Sequence, residues 1–257
     1  MKKRTMCVLF LILLISLGIF GYSIGRLYFY YWEYQKGEET YEELLDYVDE
    51  PEENPDDNIL TEESEDEEMP LLKVDFEGLK KENPDVVGWI QIPGLQISYP
   101  IVQGSDNDYY LHHMFNGSKN ASGSIFMDCH NASDFTDTNT IIYGHNMKNG
   151  TMFGSLKMYK DKQLFDQYPY FYIYTPDGMI EYRIVSCYVG KVGSVVYTYS
   201  FYDAESIRDF LYIVCNQAIY DTGADLTAED KVVTLSTCTG TGTEDRFLLH
   251  GKLENVM

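Results

Sequence analysis

Hydrophobic residues follow two different patterns along the chain. The residues from Met6 to about Ile24 form a nearly unbroken apolar run, close to the roughly 20 residues that a helix needs to cross a bilayer. From Leu71 onward, short apolar and β-branched segments alternate with Gly, Pro, Asn and Asp, which is typical of strands joined by turns. The pattern therefore predicts one apolar N-terminal helix and a separate region rich in strands.

The strand-rich region contains about eight apolar segments of strand length. The predicted strands are residues 88–92, 97–102, 124–127, 140–143, 170–174, 179–188, 231–236 and 246–253. Helical periodicity is confined to a first helix that ends near Asn83 and Pro84 and to segments 151–159 and 204–218. Short strands with few helices favour a mainly β (α+β) fold with a closed or nearly closed barrel. No G-x-G-x-x-G or P-loop pattern occurs, so a nucleotide site is not expected.

The charge of the chain is concentrated in one segment. The 257 residues have a net charge of −22, of which residues 37–68 contribute −17, with seventeen acidic residues and no Lys or Arg. Like charges repel and nothing there can be buried in quantity, so this segment is expected to be mostly an extended spacer, with a short amphipathic helix near 41–48. No basic patch stands out in the remainder, which disfavours nucleic-acid binding.

The basic residues before the apolar run predict the topology. Lys2, Lys3 and Arg4 stay in the cytoplasm by the positive-inside rule, which sends the rest of the chain outside. A cleaved signal peptide is the alternative, but no convincing small-x-small cleavage site follows the run. The prediction is a single-pass protein of the cell membrane with a cytoplasmic tail at 1–5, a transmembrane signal-anchor at 6–27, an acidic extracellular stalk at 28–70 and a folded domain at 71–257.

Five cysteines are present, and their contexts differ. Four of the cysteines lie outside the apolar N-terminal run and could form two disulfides outside the cell. The number of cysteines therefore leaves open which thiols are free. Cys187, in a strand-like run, and Cys215, in a helical apolar pattern, are predicted to be core residues. Cys129 adjoins His130, but neighbouring residues of a strand face opposite ways, which argues against a Cys–His pair there.

Cys238 differs from the other cysteines because it ends an apolar, β-branched run. Arg246 opens the next apolar run eight residues later, and His145 follows the predicted strand at 140–143. A thiolate can attack an amide carbonyl, an imidazole can move the protons, and a guanidinium can stabilise the oxyanion. Three such groups at strand ends predict an acyl-transfer site.

The segment TLSTC at 234–238, with Arg246 behind it and YGH at 143–145 upstream, resembles the signature of sortases, the cysteine transpeptidases of Gram-positive surfaces. Further strings in the same order across roughly 71–257, among them VGWI at 87–90 and SGSIF at 122–126, are similar to class B. The resemblance implies an eight-stranded sortase β-barrel with N-terminal helices and an inserted helix before the cysteine strand. It also implies that Cys238 is the nucleophile, His145 the acid and base, and Arg246 the oxyanion-stabilising group.

The same resemblance implies a groove for the substrate peptide. Asn107 and Leu111 match positions that line the groove in class B, and Tyr199 precedes the inserted helix beside it. Ser236 and Tyr143 lie two residues before Cys238 and His145, so each shares a strand face with its neighbour. The loop at 239–245 is shorter than in some class B relatives, so no substrate contact is assigned to it.

The function implied is cleavage of a C-terminal sorting signal after Thr, through a thioacyl-enzyme, and transfer of the secreted protein to a peptidoglycan amine. Alternatives are a pilin-polymerising sortase that uses a Lys amine, a non-catalytic surface-binding barrel and a cysteine hydrolase that uses water. No H-x-x-x-H or C-x-x-C spacing occurs, so neither a metal nor another cofactor is predicted.

Overall fold

The computed structural model describes residues 2–49, 72–240 and 244–257. It contains two compact units, Met1–Thr40 and Tyr41–Met257. The helices are α1 (Lys2–Glu43), α2 (Phe76–Glu82), α3 (Tyr109–His112), α4 (Lys162–Gln167) and α5 (Ala204–Asn216). The strands are β1 (Val48–Asp49), β2 (Lys73–Val74), β3 (Val86–Ile92), β4 (Ile97–Val102), β5 (Ile125–Met127), β6 (Asn139–Tyr143), β7 (Tyr170–Thr175), β8 (Gly178–Lys191), β9 (Val232–Cys238) and β10 (Asp245–Val256).

Helix α1 carries the apolar run on all its sides. Its large hydrophobic side chains between Met6 and Trp32 are exposed, and a helix that is apolar all round without protein to cover it is typical of a membrane span. Among the described residues, one helix is long and apolar enough to cross a membrane, and it is this one. It is therefore a possible membrane anchor. The helix continues beyond the predicted span as far as Glu43.

The second unit begins inside the segment that was predicted to be a stalk. Tyr41 and Leu44 are buried, and the Tyr41 hydroxyl donates to the Gly123 carbonyl at 2.6 Å. The predicted helix at 41–48 consists of the end of α1 and a 3₁₀ turn at Leu44–Tyr47, followed by β1, which pairs with β2. The extended spacer was predicted mainly for residues beyond this point, and 50–71 lie outside the described residues.

Eight strands form a closed barrel in the order β10-β8-β7-β3-β4-β5-β6-β9, which confirms the predicted fold class. The pairs β4–β5 and β6–β9 are parallel, and the other neighbours are antiparallel. All eight predicted barrel strands are present, although β8 and β10 run three residues further than expected. The predicted helix at 151–159 is instead a 3₁₀ turn at Leu156–Lys160, followed by α4.

Strand β9 is buried on both faces as far as Thr237, which fits its apolar and small side chains without any charged residue. Helix α5 packs outside the barrel at the start of this strand, where its Phe210, Leu211 and Val214 cluster with Val232 and with Leu248 of β10. Helix α5 is the inserted helix that was expected, and it begins with a capping box between Asp203 and Ser206.

The prediction that Cys215 is a core residue is wrong, because Cys215 is exposed. The buried stripe of α5 is centred between Phe210 and Val214, and Cys215 lies about 120° away at 100° per residue. Cys187 is buried, as predicted. All five cysteines are free, so the disulfides that the count allowed are not formed.

Candidate active site

Strands β9 and β10 hold Cys238 and Arg246 side by side. The two residues are direct partners in the antiparallel register, and both side chains are half-buried. A strand end fixes the backbone while leaving the side chain accessible, so the thiol and the guanidinium share one rim of the barrel. Within the connecting loop, residues 241–243 lie outside the described residues. The prediction that the loop at 239–245 is short and makes no assigned substrate contact therefore falls partly outside them.

The parallel pairing of β6 with β9 brings His145 to the same rim. Tyr143 is paired with Ser236, and the Gly144 N–H donates to the Ser236 carbonyl at 3.2 Å. His145 and Cys238 each follow this pair by two residues. Gly144 is required by close packing, because a Cβ there would lie 2.5 Å from the Ile125 Cδ1. The structure therefore brings together the three residues that the sequence predicted as catalytic.

The His145 imidazole is anchored by the backbone of α3. Its Nε2 lies 2.7 Å from the Leu111 carbonyl oxygen, and a carbonyl can only accept a hydrogen bond. Nε2 therefore carries a proton, and Nδ1 is the ring nitrogen that this hydrogen bond does not use. Leu111 was predicted to line the groove, and the contact that it makes here is through its carbonyl at the end of a short helix, where carbonyls lack helical partners.

Ser236 contacts a tyrosine that the sequence reasoning missed. Its hydroxyl lies 2.8 Å from the Tyr197 hydroxyl, and the Tyr197 ring stacks in parallel with Tyr143 at 6.4 Å. Burial raises the pKa of Tyr197, while the nearby positive charge of Arg246 acts in the opposite direction. Tyr197 therefore lies close to the predicted catalytic residues. A polar partner of this kind could have been expected, because a buried hydroxyl such as that of Ser236 needs a hydrogen-bond partner.

The segment that carries Tyr197 is fixed to β6 by a buried amide. The Asn139 Nδ2 donates to the carbonyls of Val196 and Thr198, at 3.0 and 2.8 Å. Tyr199, the residue predicted to line the groove, stacks on the His130 ring at 4.8 Å. The two aromatic residues of this segment therefore have different partners, one beside Ser236 and the other beside His130.

Asp128 connects two of the predicted groove residues, and the sequence reasoning had not assigned it a role. Its Oδ2 accepts from the Asn107 side chain at 2.9 Å and from the Tyr143 hydroxyl at 2.8 Å. Its Oδ1 accepts from the backbone N–H of His130 and lies 2.8 Å from the His130 Nδ1. Burial alone would raise the pKa of Asp128, but these hydrogen bonds outweigh it and lower the pKa below its usual value. The carboxylate is thus a charged acceptor that fixes Asn107 and Tyr143.

Cys129 and His130 lie in contact, contrary to the argument from strand alternation. The Cys129 Sγ is 3.5 Å from the His130 Nδ1. Strand β5 ends at Met127, so both residues belong to a turn and the alternation rule does not apply to them. Burial and the negative charge of Asp128 raise the pKa of the Cys129 thiol, which keeps it protonated and makes it a poor nucleophile.

The chain is similar to known proteins in both sequence and fold. The sortase domain family model matches residues 90–254. Sortase B of Listeria monocytogenes is 38% identical over 184 residues, covering 71% of this chain and 75% of that protein. The crystal structure of sortase B from Bacillus anthracis in complex with AAEK1 has a TM-score of 0.71 at 33% identity, and covers 87% of this chain and 98% of that one. The Staphylococcus aureus sortase B–substrate complex has a TM-score of 0.67 at 29% identity, over 71% and 85% of the two chains.

The closed barrel, its inserted helix and these matches define the class of protein. The chain belongs to the sortase family, in class B. It is accordingly a cysteine transpeptidase.

Proposed function

We propose that this chain is a membrane-anchored transpeptidase that cleaves a C-terminal sorting signal after Thr and transfers the secreted protein to a peptidoglycan amine. The observation that carries the proposal is the direct pairing of Cys238 with Arg246. The pairing of β6 with β9 supports it, since His145 then belongs to the same rim. Together these supply a nucleophile, an oxyanion-stabilising group and a proton donor.

Acylation uses all three groups at once. The Cys238 thiolate attacks the carbonyl carbon of the scissile bond, and the carbonyl oxygen becomes negatively charged in the tetrahedral intermediate. Arg246 cannot lose its proton, so its N–H groups stabilise that oxygen. Protonated His145 donates from Nδ1 to the leaving amine, because its Nε2–H is held by the Leu111 carbonyl. The C–N bond breaks, and a thioacyl-enzyme and a free amine result.

Transfer reverses the proton movement. The neutral His145 accepts a proton at Nδ1 from the incoming amine as that amine attacks the thioester. A second oxyanion forms at the same place, so Arg246 acts in both steps. Collapse of this intermediate expels the Cys238 thiolate and leaves the secreted protein joined to the acceptor through a new amide bond.

The hydrogen-bonded residues beside the catalytic rim form the proposed substrate groove. Asn107 and Tyr143 are held by Asp128, and Ser236 is held by Tyr197. Preorganised polar groups bind a peptide backbone without first having to be ordered. Tyr199 is 40% exposed beside His130, and its accessible ring suits contact with substrate side chains. Leu111 completes the groove next to His145.

The experiment is a single-turnover assay of the full-length protein in detergent with a panel of sorting-signal peptides. Cys238→Ala should abolish both the thioacyl adduct seen by mass spectrometry and the cleavage. Arg246→Ala should lower kcat about 10²–10³-fold, the usual cost of removing an oxyanion donor. Arg246→Lys should restore only part of this, since a lysine cannot reproduce the guanidinium geometry. Cys215→Ala, at an exposed thiol on α5, is the matched control and should keep its activity.

Retained cleavage by Cys238→Ala would refute the mechanism. The same assay with added amines tests the acceptor. A peptidoglycan-type amine should raise product formation, and the amide product should contain that amine. Preferential use of a pilin Lys would replace wall anchoring by pilus assembly, and release of only the free acid would indicate a hydrolase.

A further inference from the structure

The turn that follows β5 brings three possible metal ligands together. A carboxylate oxygen of Asp128, the sulfur of Cys129 and a ring nitrogen of His130 all lie within 4.8 Å of one another. The Asp128 Oδ1 accepts the His130 backbone N–H at 3.0 Å, and this bond curls the chain so that all three side chains point to one place. None of the three belongs to the proposed catalytic trio.

The distances between the ligand atoms are close to those of a tetrahedral zinc site. With Zn–S and Zn–N distances of about 2.3 and 2.05 Å, ideal geometry puts sulfur and nitrogen about 3.5 Å apart. The Cys129 Sγ and the His130 Nδ1 are 3.5 Å apart. The Asp128 Oδ1 lies 2.8 Å from the same nitrogen, which is a hydrogen-bond distance. An ion that replaced the shared proton would require these two atoms to move apart by roughly half an ångström.

We propose that Asp128, Cys129 and His130 form a binding site for a divalent cation of borderline softness, with Zn²⁺ as the best fit and water as the fourth ligand. A thiolate and an imidazole suit Zn²⁺ or Co²⁺, whereas Ca²⁺ and Mg²⁺ prefer oxygen ligands throughout. On binding, Cys129 releases its thiol proton to solvent. The two negative charges of the carboxylate and the thiolate then balance the ion.

The three ligands are oriented by hydrogen bonds from neighbouring residues, as the ligands of metal centres are. The Asp128 Oδ2 is held by Asn107 and Tyr143, so the carboxylate is oriented with Oδ1 towards the other two ligands, as outer hydrogen bonds do in metal centres. Asn107 also accepts the Cys129 backbone N–H at 2.8 Å. The His130 side chain is 54% exposed, which leaves access for an ion and for the water ligand.

The sequence had indicated no metal because it contains no spaced pairs of ligands such as H-x-x-x-H and C-x-x-C. Three consecutive ligands in a turn fall outside those patterns. An ion here would fix the wall of the groove that carries Asn107 and Tyr143. Its binding can be measured without turnover, so the proposal does not rest on the proposed transpeptidation.

The test is a Co²⁺ titration of full-length Cys238→Ala in detergent. The substitution removes the thiol at the same rim of the barrel as His145. We expect a thiolate-to-cobalt charge-transfer band and the intense visible absorption of a tetrahedral ion, both saturating at one equivalent and lost on addition of Zn²⁺. Adding Cys129→Ala should abolish the charge-transfer band. Adding Cys215→Ala, which removes an exposed thiol elsewhere, should leave it unchanged.

A second variant separates ligation from folding. His130→Ala in the Cys238→Ala background keeps the Cys129 thiol but should weaken Co²⁺ binding at least tenfold, and circular dichroism will verify that both variants are folded. Absence of the band from Cys238→Ala, or its persistence after Cys129→Ala, would overturn the proposal. Equal Co²⁺ affinity with and without His130 would do the same.

Discussion

At the scale of single residues, the proposed groove depends on Asp128. This carboxylate is 5% exposed and joins Asn107 to Tyr143 through the same oxygen. Hydrogen bonds to a charged group are worth about 1.5–3 kcal/mol each. The residues that it holds are proposed to bind the substrate peptide rather than the reacting carbonyl, so their loss should affect binding more than chemistry.

Asp128→Asn should therefore lower kcat/KM about tenfold or more, chiefly by raising KM. The amide still accepts one hydrogen bond but has lost the charge that orients both partners. Steady-state kinetics with a sorting-signal peptide will measure this, and Asp134→Asn, at an exposed aspartate of the following loop, is the control. A fall in kcat with KM unchanged would mean that Asp128 acts on the catalytic trio instead.

His250 makes the stability of the barrel depend on pH. It is fully buried, and the Thr234 hydroxyl donates to the Asn139 Oδ1 at 2.7 Å, so its oxygen is left to accept from the His250 Nδ1. Burial lowers the pKa of His250 from 6.5 to about 3. Between these two values the unfolded chain binds a proton that the folded chain does not. The stability is thus fully present above pH 6.5 and is lost as the pH falls towards 3.

At pH 5 the loss from His250 should be about 2 kcal/mol relative to pH 7. Urea denaturation of wild type and His250→Gln at both pH values will measure it. The variant lacks a titrating side chain, so its free energy of unfolding should decrease less than that of wild type, whatever its stability at pH 7. An equal decrease in the two proteins would assign the pH dependence to other groups.

At the scale of elements, the turn after β6 positions His145, and Gly144 permits that turn. A Cβ at position 144 would approach the Ile125 Cδ1 to 2.5 Å and the Phe153 ring to 2.6 Å. Gly144→Ala should therefore displace the turn, lower kcat at least tenfold and destabilise the fold by about 1–3 kcal/mol, the usual cost of overpacking. Kinetics and thermal unfolding will measure both effects.

The rescue for this variant lies on β5. Ile125→Val removes the Cδ1 that the new Cβ would meet, so Gly144→Ala with Ile125→Val should recover part of the lost activity, while Ile125→Val alone should cost little. If the double variant is no better than Gly144→Ala, the displacement of His145 does not arise from this contact.

The elements that the sequence predicted well are those with a local signal. The eight barrel strands follow from alternating or continuous apolar runs, and α5 from its periodic apolar face. The placement of Cys238, His145 and Arg246 at strand ends follows in the same way. Local pattern failed where tertiary packing decides: Cys215 lies beside the buried stripe of α5, and Tyr197 and Asp128 gain their contacts only when distant segments meet.

At the scale of the whole chain, the distribution of charge bears on topology. The basic residues precede the apolar run, and seventeen acidic residues lie in 37–68. A positive N-terminus is retained in the cytoplasm, and the long segment after the span is then translocated. We therefore expect the barrel to lie outside the membrane, where its substrates would be secreted proteins and its acceptor a wall precursor.

The exposed thiol of Cys215 offers a direct measure of this topology. In a Cys129→Ala, Cys238→Ala chain, Cys187 is buried and Cys215 is exposed, so a membrane-impermeant maleimide applied to intact spheroplasts should label the chain at Cys215. Further change of Cys215→Ser should remove the label, which controls for reaction at Cys7 in the apolar helix. Labelling that requires lysis would place the barrel in the cytoplasm. That outcome would exclude cell-wall anchoring, because a cytoplasmic barrel could reach neither a secreted protein nor a surface amine, even with every catalytic group correctly arranged.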